Sequence, residues 1–84
     1  MNNDVSLIKG KIKLYIVQSV YVDSSIIKDD SLLFKEGYFN SMGFMKLITF
    51  LEEEFGIKIV DSDMFEENFK SIDSITDFVI RKQS

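Results

Sequence analysis

The fifteen residues from Ser41 to Phe55, SMGFMKLITFLEEEF, carry a helical pattern so plain that the rest of the chain must build around it. Leu47, Ile48, Leu51 and Phe55 recur at spacings of three and four, and Phe44 lies one turn earlier. That repeat puts an apolar stripe on one side of a helix. Asn40 and Ser41 are residues that favour a helix start, and Gly56 favours a left-handed stop. The predicted helix therefore runs from Ser41 to about Phe55. It is apolar at 42, 44, 45, 47, 48, 50, 51 and 55, which is wider than a small core needs. Some of these side chains must sit at an edge or face water. Methionine suits surfaces that dock partners; for Met42 docking is the favoured reading, and for Met45 core and docking stay open. Glu52, Glu53 and Glu54 crowd the last turn, where the helix dipole disfavours negative charge. Their placement points to solvation or to a partner. A solvated face or docking patch is favoured over catalysis for them, because successive helical residues diverge by about 100° and do not converge on one substrate atom.

The rest of the chain arranges itself around that element. Val5, Ile8, Ile12, Tyr15, Ile16 and Val20 lie on one helical face. IKGKIKLYIV also alternates, so a strand reading survives beside the favoured helix. Lys9, Lys11 and Lys13 make this end locally basic. Asp23 to Asn40 has no sustained period. It reads as a long loop pinned by Ile26, Ile27, Leu32, Leu33, Phe34 and Phe39, with Asp30-Ser31 capping a short turn. Asp61-Ser62-Asp63 is a candidate start for a short helix through Glu67. Ser71 caps a last helix whose apolar face is Ile72, Ile75, Phe78 and Val79, with Arg81 and Lys82 at its end to suit the dipole. The predicted fold is all-α: a small antiparallel four-helix bundle of three longer helices and one short one, with a long loop after the first.

Composition removes most chemistries. The chain of 84 residues is expected to be one domain, 1–84. It has no His and no Cys, so it lacks the usual general base, the usual metal ligands and a thiolate nucleophile. No catalytic residue and no metal site are expected. The Asp61–Asp63 run fails as a calcium loop, because Phe65, Glu66 and Ile72 stand where a ligand, a glycine and a glutamate belong. A net charge of −4 argues against nucleic acid and for a protein partner. No apolar run reaches the length of a membrane span, and nothing near the start resembles a signal peptide. A cytoplasmic monomer is the expectation.

Ser41 has two readings. Propensity alone makes it a helix cap. However, Asn40 can do the capping, which leaves the Ser41 hydroxyl free in the first turn. Helix N-termini also accommodate phosphate, so the serine is well placed to carry a phosphodiester.

Gly37-Tyr38-Phe39-Asn40-Ser41-Met42-Gly43, followed by KLITFLEEEFGIKI and then SIDSITDFV, resembles the acyl carrier protein family, which includes peptidyl and D-alanyl carriers. The resemblance covers roughly 31–81. It implies a four-helix carrier bundle on which a phosphopantetheinyl transferase moves 4'-phosphopantetheine from coenzyme A to Ser41. The thiol absent from the sequence would then arrive on the prosthetic group, and acyl or aminoacyl chains would ride on it as thioesters. By position in the family, Asn40, Met42, Met45, Lys46, Thr49 and Glu53 should form the partner-binding surface, while Phe44, Leu47, Ile48, Leu51 and Phe55 pack inward. Two residues depart from the pattern. Asn40 replaces the usual Asp, and Lys46 stands where fatty-acid carriers have Glu. Those departures favour a discrete carrier in a specialised pathway, loaded by an adenylating ligase or acyltransferase and served by condensing or tailoring enzymes. The alternative is an unmodified helical adaptor that binds a partner through its Met/Phe-rich face.

Overall fold

The computed structural model describes residues 5–84. Four α-helices make up the frame: α1 Val5–Val20, α2 Ser41–Phe55, α3 Glu66–Phe69 and α4 Ile72–Gln83. There is no strand among the described residues, so the alternating IKGKIKLYIV segment is helical. Its choice follows from burial. Ile8, Ile12 and Ile16, spaced four apart, are the buried residues of α1, and Tyr15, which packs with them on the helix, would have pointed to the opposite face of a strand. Val5 is about half exposed, so the stripe starts one turn later than its spacing suggests. The helix ends with Tyr21 in the left-handed region at φ 57°, a position glycine usually fills.

Helix α4 is the element on which α1, α2 and α3 all pack. Its buried face is Ile72, Ile75, Phe78 and Val79, together with Thr76, whose hydroxyl bonds back to the Ile72 carbonyl at 2.8 Å. Ser71 caps it, accepting from the Ser74 N–H at 3.1 Å. Phe69 and Phe78 meet edge to face with centroids 4.9 Å apart, and Phe44 meets Phe69 at 5.3 Å. These rings link α2, α3 and α4 in one core.

The long connection from α1 to α2 is held down by alternate anchors. Ile27, Leu33 and Phe39 are buried, whereas Ile26 and Leu32 stay exposed. Ser31 closes the Lys28–Ser31 turn by accepting from the Lys28 N–H at 2.9 Å. The Leu33 N–H reaches the Lys70 carbonyl and the Asp73 N–H reaches the Asp29 carbonyl, tying the loop to the start of α4. Lys9 reinforces that tie with ion pairs to Asp73 at 2.7 Å and Asp29 at 3.6 Å. The hydrogen bond to Asp73 holds the Lys9 ammonium above its ordinary pKa, against the lowering effect of burial. Lys13 also meets Asp29, and Lys11 meets Glu54 at 3.1 Å. The basic end of α1 is thus spent on internal ion pairs.

Two expectations need correction. The Asp61 segment does not begin a helix through Glu67. Asp61–Asp63 is a single 3-10 turn, and α3 starts separately at Glu66. The cause is Asp63, whose carboxylate accepts from the Val60 N–H at 3.0 Å and pairs with Lys82 at 2.8 Å. That geometry closes the turn instead of propagating it. Nor do the glutamates at the end of α2 all await a partner. Glu52 accepts from the Ile59 N–H at 2.9 Å, and Glu54 holds Lys11; Glu53 makes no such contact among the described residues.

Candidate functional site

The N-terminus of α2 is built by three consecutive residues with different tasks. Phe39 is buried and anchors the incoming loop. Asn40 is extended at φ −109°, ψ −173°, and its Oδ1 accepts from the Gly43 N–H at 2.9 Å. Its carbonyl accepts from the Phe44 N–H, also at 2.9 Å. Ser41 is then the first helical residue, exposed, with a hydroxyl that makes no hydrogen bond among the described residues. The division of labour expected between Asn40 and Ser41 is the one observed. With Gly43 and Phe44 engaged, the N–H groups of Ser41 and Met42 are left without partners among the described residues. Free N–H groups and the positive end of the helix dipole together favour an anion beside the serine.

Gly43 is only part of a motif in the sequence, yet it shapes the site. A Cβ at this position would lie 2.8 Å from Phe39 Cδ1. The missing side chain is what lets the Phe39 ring sit against the first turn of α2. From there Phe39 divides two grooves. One, of about 420 Å³, runs from Ser41 toward the 64–66 segment, between Phe34, Phe39 and Phe44 on one side and Met64, Phe65 and Glu66 on the other. The second, of about 460 Å³, lies toward the end of α1, where Tyr38, Asn40, Met42 and Lys46 face Ser19, Val20 and Tyr21.

Met64 and Phe65 escape a reading of the sequence, although both keep exposed surface beside Ser41. An exposed Phe directly after a capped acidic turn is the available signal. The segment that bears them is latched from below. Asp63 holds Lys82, the Asn68 amide donates to the Asp63 carbonyl at 2.8 Å, and Arg81 donates to the Asn68 side chain at 2.9 Å. The Lys82 ammonium, with help from the Val60 N–H, keeps the Asp63 carboxyl below its usual pKa.

Of the surface residues expected for partner binding, all but Asn40, which lines the two grooves beside Phe39, fall together. Met42, Met45, Lys46, Thr49 and Glu53 line one shallow groove on the outer side of α2. Met42 and Met45 are 68% and 55% exposed, which resolves Met45 in favour of the surface. The Thr49 hydroxyl is turned back onto the Met45 carbonyl at 3.2 Å. Inward, Leu47, Ile48 and Leu51 are buried, while Phe44 and Phe55 are only partly so. No group of acidic residues that could hold a metal exists among the described residues, and no described helix is long and apolar enough to cross a membrane.

The phosphopantetheine attachment site family matches residues 11–79. The acyl carrier protein of Buchnera aphidicola subsp. Baizongia pistaciae (strain Bp) is 36% identical to the chain over 72 residues, covering 86% of this chain and 90% of that protein.

Proposed function

The chain belongs to the acyl carrier protein family, and we propose that Ser41 is the residue to which its 4'-phosphopantetheine is joined. The observation that carries this reading is the exposed, unbonded Ser41 hydroxyl next to an Asn40 that already caps the helix. The residues present fit the group. Two unpartnered N–H groups suit a phosphodiester at the serine, and the adjoining groove of Phe34, Phe44, Met64 and Phe65 suits the gem-dimethyl group of the pantoyl unit. The bound group supplies a thiol for acyl or aminoacyl thioesters, which the cysteine-free chain does not have.

The protein's own part in its modification is presentation. Serine is a weak nucleophile at neutral pH and needs a base. A chain without His leaves that base to the transferase, which would take the Oγ proton as Oγ bonds to the pantetheine-side phosphorus of coenzyme A and the pyrophosphate linkage breaks, releasing adenosine 3',5'-bisphosphate. The carrier itself catalyses no step. Asn40 and Lys46, both exposed, replace acidic residues of the family's usual recognition surface. They support a carrier of a specialised pathway, loaded by a dedicated adenylating ligase or acyltransferase and not by a general fatty-acid synthase.

Intact-protein mass spectrometry after incubation with coenzyme A and a broad-specificity phosphopantetheinyl transferase tests the assignment. Wild type should gain one phosphopantetheinyl group, and Ser41→Ala none. Equal gain in the variant would move the site elsewhere. No gain with transferases of several specificities would favour the adaptor reading, for which the exposed Met42 and Met45 are the structural argument.

A further inference from the structure

Three consecutive side chains in the last turn of α4 reach three different points of the chain that leads from α2 to α4. Arg81 donates to the Asn68 side chain at 2.9 Å, Lys82 donates to the Asp63 carboxylate at 2.8 Å, and the Gln83 amide donates to the Phe55 carbonyl at 3.4 Å. The end of α2, the 3-10 turn and α3 are thus all held from one place. Lys82 and Asp63 also form the least exposed ion pair among the described residues, with 28% and 19% of the two side chains accessible.

What these tethers hold is the far wall of the groove beside Ser41. Phe65 is 64% exposed and Met64 37% exposed, so burial in the core does not fix where they stand. Polar bonds do. The Phe65 N–H donates to the Asp63 carbonyl at 2.8 Å, and the same carbonyl accepts from the Asn68 amide at 2.8 Å. Asp63 therefore meets Lys82 through its carboxylate and carries Phe65 on its carbonyl. None of Arg81, Lys82 and Gln83 lines the groove. Their route to it is that backbone.

We propose that Lys82, supported by Arg81, is a positioning residue for the prosthetic arm: the last turn of α4 holds Met64 and Phe65 against the groove that the arm enters from Ser41, so a helix that does not bear the attachment serine decides how closely the arm is packed. A segment with few buried contacts opens locally at low cost, and a tether to a rigid element is what keeps such a wall in place. Helix α4 suits that task, because α1, α2 and α3 all pack on it. The proposal rests on Ser41 as the attachment point for its occupant, whereas the wall and its tethers exist in the unmodified protein.

The test uses 15N-labelled protein, unmodified and after incubation with coenzyme A and a broad-specificity phosphopantetheinyl transferase, each checked by intact mass. Lys82→Met keeps the aliphatic stem and removes the charge. In the unmodified variant, exchange of the Phe65 and Asn68 amide hydrogens should quicken by about fivefold, the scale of a lost ion pair, with the amides of α1 and α2 unchanged. In modified wild type, the arm should shift the amide peaks of Met64 and Phe65. In modified Lys82→Met those shifts should collapse while the mass gain stays complete, and Lys82→Arg should restore them. A residue that served stability alone would lower Tm and leave the arm-dependent shifts in place. Asp63→Asn should repeat the Lys82→Met result, and Arg81→Gln should give a weaker form of it. Full mass gain without arm-dependent shifts at Met64 and Phe65, or with shifts or exchange rates that Lys82→Met leaves intact, would overturn the proposal and leave Ser41 standing. No mass gain would overturn both, so the two failures are told apart by the mass.

Discussion

Two glycine-to-alanine substitutions in helices should move stability in opposite directions. Gly10 lies inside α1, exposed, and a Cβ there meets nothing within 4 Å. Only the backbone entropy of the unfolded chain and helix propensity are at stake, so Gly10→Ala should stabilise by about 0.5–1 kcal/mol. Gly43 is also helical, and the same propensity gain is available in principle. Its Cβ, however, would stand 2.8 Å from Phe39 Cδ1, about an ångström inside ordinary carbon contact. The Phe39 ring is 8% exposed and packs against Phe34 at 5.8 Å, so it has little room to retreat. Overpacking of this kind costs about 1–3 kcal/mol. Subtracting the propensity gain leaves a net loss of up to about 2.5 kcal/mol, with a midpoint of about 1.3 kcal/mol, for Gly43→Ala. For a domain of this size that midpoint corresponds to a Tm lower by about 5–10 °C, while Gly10→Ala should raise it by several degrees. Urea denaturation gives the same comparison in midpoints, with m unchanged in both variants. If Gly43→Ala stabilises as much as Gly10→Ala does, the close approach of Phe39 to α2 is not a constraint, and the glycine is not what sets the division between the two grooves.

Asn40→Asp keeps an oxygen for the Gly43 N–H and adds negative charge at the helix start; it should stabilise by about 0.3–1 kcal/mol at low salt, whereas Asn40→Ala should cost about 1 kcal/mol, both read from denaturation midpoints. The acid response should be local to the Asp63 latch. The folded-state pKa of Asp63 is depressed by Lys82 and the Val60 N–H, so the stability it contributes is present above its unfolded value, near 4, and is lost as pH falls through the lower folded value. Amide cross-peaks of 60–65 should therefore broaden or shift below about pH 4 ahead of those of α1, and Asp63→Asn should abolish that early step; uniform loss of all peaks in wild type would contradict the latch.

Where the sequence is legible, one short-range rule decides the outcome. Helix α2 is bounded by Asn40 and Gly56, and the cap hydrogen bond and a φ of 63° at Gly56 are those features in three dimensions. Helix α4 is equally readable from Ser71 and its four apolar positions. The errors share a cause, which is that a residue's partner lies far along the chain. Asp63 looks like a helix start because Lys82, 19 residues away, cannot be paired with it from spacing. Glu52 and Glu54 look unsatisfied because Ile59 and Lys11 are brought to them only by the fold. The stack of Tyr15 on Phe50 depends on the register of two helices separated by the long loop, and nothing local announces it. At the candidate site, Asn40 and Ser41 are legible as neighbours in sequence, while Met64 and Phe65 come into view only once the 3-10 turn places them opposite.

The cap at Asn40 has a thermodynamic consequence. Were the serine itself the acceptor for the first-turn N–H groups, esterifying its oxygen would strip the helix of its cap, and every round of modification would carry a folding penalty of about 1 kcal/mol. Because the amide of Asn40 makes that bond, the hydroxyl that we propose as the attachment point is one that the bundle does not use. On that assignment modification costs the helix no cap, and a chain with little stability to spare keeps that bond whether or not the serine is esterified.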